Sequence, residues 1–306
     1  MSIEDIIKCK YICSVGLIKL INQENQILHF DENLNVTHDY SNIENIVEGS
    51  CITIKSDNIH EFIHVALPRI NKKFILFTAN SDGTTPSSFL DQSTFFRTIE
   101  NPHIIRWYST NCLEHIHEKL TQIPIGMNLH CSTIEHSQNR QMWHDKVLSP
   151  QEQEEILDNI RNLAKPFCER ELKCYSNFHF NHYAEFGNPR ERAIHVIPKD
   201  LVFYEPTYTK RTIAWENQAK YAFVLSPLGH GMDCHRTWEA LALGCIVIVE
   251  TSPLDVLYRD LPVLILNNWA DLTQELLQKT VEDFKNRTFN YERITLKYWH
   301  NIITEK

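Results

Sequence analysis

The sequence predicts an α/β protein of two lobes, each an open parallel sheet covered by helices. Three observations lead there. Short apolar runs of strand length alternate with helix-period segments over most of the chain, the pattern of parallel strands joined by crossover helices. The length, 306 residues, suits about two domains, each able to bury its own core. Near the middle, Ser149-Pro150-Gln151-Glu152 opens a polar helix: serine caps the free amides, proline fits the first turn and Glu152 completes a capping box. That helix connects the lobes, so the division falls between 1–147 and 148–306.

In chain order, the first 45 residues are asparagine-rich and weakly periodic, and no element is assigned to them. Residues 51–54, 74–77 and 104–107 read as strands, with helices over 58–67 and 87–98 between them. Residues 113–120 read as a helix, and the polar, histidine-rich stretch 130–145 as an exposed loop. The helix opened by Ser149 runs to about residue 165. Beyond it, strands are expected at 172–178, 201–204, 221–226, 245–249 and 262–266. Helices are expected near 188–196, 211–219, 233–243 and 269–285, and a last one at about 290–303 closes the chain.

With 42% apolar and 23% charged residues, this is ordinary globular composition rather than that of a disordered chain. The formal net charge of −9 argues against nucleic-acid or anionic-membrane binding, which need a basic surface. Nine cysteines, an odd number without a Cys-x-x-Cys pair, read as reduced core thiols of a cytoplasmic protein. Lys8, Lys10 and Lys19 interrupt the early apolar residues and no 18-residue apolar run occurs, so neither a signal peptide nor a membrane span is expected.

The chemistry concentrates in one βαβ unit: the 221–226 strand, a loop at 227–232, a helix at 233–243 ended by Gly244, and the 245–249 strand. Ligands of open parallel sheets bind at the carboxyl ends of the strands, and a helix amino terminus suits a phosphate. The chain has only 8 glycines, and Gly229, Gly231 and Gly244 fall here. Asp233 can cap the helix, with His235 and Arg236 in its first turn and Glu239 on the same side. An arginine matches phosphate oxygens bidentately, and a carboxylate accepts a pair of ribose hydroxyls. The candidate binding residues are therefore Ser226, Gly229, His230, Gly231, Met232, Asp233, His235, Arg236 and Glu239. A plain surface helix carrying an Arg–Glu pair would read the same way. The dinucleotide fingerprint itself is absent, because Cys234 stands where its third glycine belongs. Across 187–236 seven basic residues face five acidic ones, a basic stretch suited to a small anion.

The run from Phe223-Val224-Leu225-Ser226-Pro227-Leu228-Gly229-His230-Gly231-Met232-Asp233-Cys234-His235-Arg236-Thr237-Trp238-Glu239-Ala240 to Ile248 closely resembles the C-terminal signature of exostosin-type glycosyltransferases. Weaker resemblance reaches Asn188-Pro189-Arg190-Glu191-Arg192, Ser252-Pro253-Leu254 and Pro262-Val263, and in the first lobe Asp82, Arg106-Trp107, Asn111 and Pro124-Ile125-Gly126. The resemblance implies the GT-B architecture, two Rossmann-like lobes with parallel sheets and an interlobe cleft. It also implies a nucleotide-sugar donor, commonly a UDP-sugar, and a glycan or glycoprotein acceptor. Glu239 would hold the ribose, and Arg192 with the 229–236 loop the diphosphate. His230 stands where relatives commonly carry asparagine or another polar residue, which leaves its role open. The chain looks like the short soluble forms known from microbes and large DNA viruses.

The metal-binding Asp-x-Asp of other glycosyltransferases occurs nowhere in the chain. Charge stabilisation by helix amides and arginine, with no cofactor required, is the simpler expectation. Inverting transfer needs a base for the acceptor hydroxyl. Asp82, in Asn80-Ser81-Asp82-Gly83 directly after the 74–78 strand, is the candidate. Ser-Asp-Gly is also ordinary turn chemistry, and His103 and Glu114 are alternatives.

Two other function classes compete. His60-Glu61-Phe62-Ile63-His64 matches the zinc-hydrolase pattern. The helical wheel buries Ile59, Phe62, Ile63, Ala66 and Ile70, leaves both histidines on a flank, and Pro68 limits the helix. His115 and His117, in the expected 113–120 helix, would splay apart. Gly-x-Ser-x-Gly and a Walker loop are absent. A non-catalytic nucleotide-sugar-binding protein is the remaining alternative.

Overall fold

The computed structural model describes residues 3–31, 34–112, 117–130, 148–178, 187–207 and 209–305. Its strands form two parallel sheets and one small antiparallel pair. The pair, β1 (Leu28–Phe30) with β2 (Val36–His38), follows helix α1 (Ser14–Asn22) in the region left unassigned from sequence. The first parallel sheet has the order β3 (Cys51–Lys55), β4 (Phe74–Ala79), β5 (Ile104–Ser109), β6 (Leu120–Gln122). Strand β6 corrects the expected 113–120 helix at its end: Leu120 and Gln122 are buried, and they complete the sheet beside Trp107 and Ser109. Residues 113–116, with Glu114 and His115, lie outside the described residues, as does most of the expected 130–145 loop.

The second sheet comprises β7 (Glu171–Ser176), β8 (Val202–Tyr204), β9 (Tyr221–Leu225), β10 (Ile246–Glu250) and β11 (Val263–Leu266). Its order is β11-β10-β9-β7-β8, all parallel. Every residue of β9 and all but the last of β10 is buried, as a parallel sheet covered on both faces demands. This is why those strands are continuous apolar runs rather than alternating ones.

The helical connections are a run from 59 to 69 containing a π-helical turn, then α2 (Gln92–Ile99), α3 (Pro150–Leu163) and α4 (Pro189–Val196). They continue with α5 (Arg211–Gln218), α6 (His235–Ala242), α7 (Gln274–Lys285) and α8 (Leu296–Thr304). The expected capping box is formed: Ser149 Oγ accepts from Glu152 N at 3.2 Å, and Glu152 Oε2 accepts from Ser149 N at 2.7 Å. Gly244 ends α6 with φ +73°, the left-handed geometry that favours glycine.

Each sheet has its own apolar cluster, and a third joins Ile12, Phe77 and Tyr108 of the first lobe to Trp215, Trp238 and Val247 of the second. The last helix crosses back. Tyr108 Oη donates to Ile302 O at 3.0 Å, Leu296 N donates to Lys10 O and Ile12 N donates to Ile294 O. Thus α8 belongs by packing to the first lobe, against α1. At the start of α3, Glu154 accepts the amides of Lys10 and Tyr11, and burial pushes its carboxyl up to about 7. The eight described cysteines are all free, and six are buried. No helix among the described residues is long and apolar enough to cross a membrane.

Candidate functional site at the lobe junction

Strand β9 delivers the chain to the junction. Ser226 is buried at its carboxyl end; its N–H donates to Ile248 O at 2.9 Å, and its hydroxyl lies 2.8 Å from that of Thr237 on α6. The loop that follows is closed by Gly229 N donating to Gly231 O at 3.0 Å. Its two glycines admit side chains from elsewhere. A Cβ on Gly229 would lie 2.8 Å from Arg190 Nη2, and one on Gly231 would lie 2.7 Å from Asn111 Nδ2. The first neighbour comes from α4, the second from the opposite lobe. His230 is exposed at the tip, and Met232 is buried.

Asp233 does not cap α6. The helix begins at His235, preceded by Cys234, without a side-chain cap. Asp233 Oδ2 accepts from Ile125 N and Oδ1 from Trp238 Nε1, both at 2.8 Å. Its own N–H donates to Asn111 Oδ1 at 2.9 Å, and Asn111 Nδ2 reaches Ser81 O. The residue pins the lobes together. Burial pushes its carboxyl up to about 7, against the opposing pull of the hydrogen bonds from Ile125, Trp238 and the Cys234 amide.

Two arginines converge on the loop. Buried Arg190 donates from Nε to Leu228 O at 3.2 Å, and Arg236 from Nη2 to Pro227 O at 3.1 Å. The Arg236 guanidinium also covers the Phe178 ring at 5.2 Å. Desolvation, then the charge of Arg236, brings Arg190 down to about 10, and desolvation lowers Arg236 as well. Arg192 lies elsewhere: it pairs with Glu250 at the end of β10 and its side chain is 54% exposed. Two residues apart on a helix means about 200° around the axis, so only one arginine of Asn188-Pro189-Arg190-Glu191-Arg192 can meet the loop. Sequence reasoning singled out Arg192 and passed over Arg190, although the spacing already required a choice.

Glu239 is buried between α5 and α6. One oxygen pairs with Arg211 Nη2 and the other accepts from Trp215 Nε1 at 2.9 Å. Arg211 stacks on Trp215 at 4.5 Å and also donates to Asn128 O and Gln153 Oε1. A carboxylate has about four acceptor positions, of which the bonds from Arg211 and Trp215 fill one on each oxygen. Arg211 was not legible as a site residue, because its partner lies 28 residues away.

Beside this loop opens a cleft of about 560 Å³. One wall is the turn Asn80-Ser81-Asp82-Gly83 with Lys55 and Asp57, and the other carries His130 and His235. Asn80 has φ +61°, which turns the chain sharply after β4 and presents Asp82, exposed, at the rim. Ser81 Oγ donates to Asp57 Oδ1, and Lys55 Nζ pairs with Asp57 Oδ2, both at 2.8 Å. His235 Nδ1 lies 2.6 Å from Gly126 O. Burial lowers the His235 pKa, while the Gly126 carbonyl, Glu239 and Asp82 raise it. His130, whose ring meets that of His235 edge-on at 6.3 Å, is lowered to about 3 by burial and by the charges of His235 and Arg211.

The structure thus brings Asp82, His235, Arg236 and the Gly229–Gly231 loop to one junction. His103 precedes β5, at the amino end of that sheet and away from the cleft. His60 and His64 are exposed, with rings stacked at 6.1 Å. Among the described residues no group of three or more His, Cys, Asp or Glu could hold a metal ion. No protein-family model matches the chain, and no curated protein matches it.

Proposed function

We propose that this chain is a GT-B glycosyltransferase that moves a sugar from a nucleoside diphosphate donor, a UDP-sugar, to a hydroxyl of a glycan or glycoprotein, with inversion. The observation that carries the reading is the convergence of Arg190 and Arg236 on the glycine loop at the carboxyl end of β9. Two desolvated guanidinium groups, each oriented by a backbone carbonyl, form a counter-charge for a diphosphate and for the charge that grows on it as the sugar departs. Arg190 takes the position that the exostosin resemblance gives to Arg192. Glu239 faces the ribose with its remaining lone pairs. The return of α8 to the first lobe and the cleft between two parallel sheets support the GT-B form. Among the groups on the cleft wall able to take a proton are Asp82 and His235.

The test is a calorimetric and thermal-shift screen of nucleotide sugars with and without EDTA. UDP-sugars are expected to raise the melting temperature equally in both conditions. If no nucleotide or nucleotide sugar does so, the reading fails. Binding without UDP release in the presence of acceptor glycans would make the chain a nucleotide-sugar-binding protein instead.

A further inference from the structure

Resting on that reading, we propose that His235 takes the acceptor proton, and that Asp82 serves it from across the cleft as a counter-charge. The Gly126 oxygen can only accept, so Nδ1 at 2.6 Å carries the ring hydrogen. In the neutral imidazole the lone pair then belongs to Nε2. That atom makes no hydrogen bond to the protein among the described residues, and the ring lines the cleft. The orientation is fixed from both ends. His235 is the first residue of α6. Gly126 is held at φ +70°, between Met127 N donating to Ile12 O at 2.7 Å and Ile125 N donating to Asp233.

Burial lowers the pKa of the ring and so favours its neutral, proton-accepting form. Glu239 and Asp82 favour the imidazolium, whereas Arg211 opposes it; His130, 6.3 Å away edge-on, is itself lowered to about 3 by burial. Lys55 and Asp57, on the far wall, largely cancel through their own ion pair. Asp82 by contrast is exposed and makes no hydrogen bond among the described residues. It can face a substrate, but no described residue orients it by a hydrogen bond, and orientation is a large part of what a base contributes.

In the step itself, the acceptor O–H proton passes to Nε2 as the oxygen bonds to the anomeric carbon. The bond from that carbon to the diphosphate oxygen breaks, and its electron pair leaves on the diphosphate beside Arg190 and Arg236. The imidazolium keeps its Nδ1 bond to Gly126, gains the field of Asp82, and returns the proton to water.

The experiment combines histidine NMR with donor binding and turnover. In protein labelled with ¹⁵N-histidine, with His235→Gln identifying the signal, the neutral ring is expected with hydrogen on Nδ1 and a bare Nε2. Asp82→Asn is expected to lower the His235 titration midpoint. A hydrogen on Nε2, or an unmoved midpoint, overturns the proposal. In the kinetic arm, His235→Gln should bind UDP-glucose within about threefold of wild type and release UDP at least about a hundredfold more slowly, the contribution ordinary for a base. Asp82→Asn should slow turnover far less than His235→Gln does, with the acid limb of its pH profile moved to lower pH. Fast turnover by His235→Gln beside a silent Asp82→Asn returns the proton to Asp82 and leaves the glycosyltransferase reading intact. Failure of wild type to bind any UDP-sugar removes both.

Discussion

Replacing Glu239 by alanine leaves Arg211, 6% exposed, without its carboxylate, and Trp215 Nε1 without its acceptor. Removing one partner of a buried ion pair costs about 3–5 kcal/mol, because the other charge stays buried. For 306 residues, an unfolding entropy of about 2.1 cal/mol/K per residue makes 1 kcal/mol worth about 1.6 °C. The expected fall in melting temperature is therefore about 5–8 °C. Glu239→Gln keeps the shape and one oxygen, so its fall should be smaller, about 2–5 °C. Scanning calorimetry without ligand measures both, and UDP-sugar titration well below the melting onset then separates folding from binding. Arg211→Met combined with Glu239→Leu should recover part of the loss, since no charge is left buried. If Glu239→Ala melts within about 2 °C of wild type, well short of the predicted fall, the carboxylate does not act as the partner of Arg211 and this reasoning is refuted.

The arginine assignment is decided by pairing variants. Arg190→Gln and Arg236→Gln should each weaken UDP-sugar binding at least about tenfold, the scale of a charge-assisted hydrogen bond, while Arg192→Ala changes it less than about threefold. The reverse order would return the diphosphate to Arg192. Gly244→Ala must adopt φ +73° and place a Cβ 0.8 Å from Arg161 Nη1, which donates to Leu243 O. It should lower stability by about 1–2 kcal/mol from backbone strain alone, and a melting temperature unchanged by calorimetry would contradict that. Asp233 has its folded pKa raised to about 7, so its contribution to stability is fully present below the unfolded carboxylate range, near about 3.9. That contribution is lost as pH rises through about 7. The stability gap between wild type and Asp233→Asn should therefore shift against wild type between pH 4 and pH 8; urea unfolding that gives the same gap at both ends would sink the assignment.

Legibility followed the range of the interactions. Strands β9 and β10 and the Gly244 helix end were readable because their signals, apolar runs and a glycine after a periodic segment, are local. The capping box at Ser149 was readable for the same reason. The β1–β2 pair was not, since three-residue strands with partial exposure carry almost no periodicity. Asp233 misled because aspartate before a helix is a frequent cap, whereas here both oxygens are claimed by a first-lobe amide and an indole.

The sequence by itself determined the strands of two parallel sheets, the capped helix that lies between them in the chain and the βαβ unit that carries the candidate site, because each is written in neighbouring residues. Only the tertiary structure decided that Arg190 rather than Arg192 meets the loop, that Glu239 is shared with Arg211, and that His235 hangs from the Gly126 carbonyl. Those contacts join residues 28 to 109 positions apart. Helix pitch, burial and the docking of one lobe on the other select among side chains that local pattern leaves equivalent.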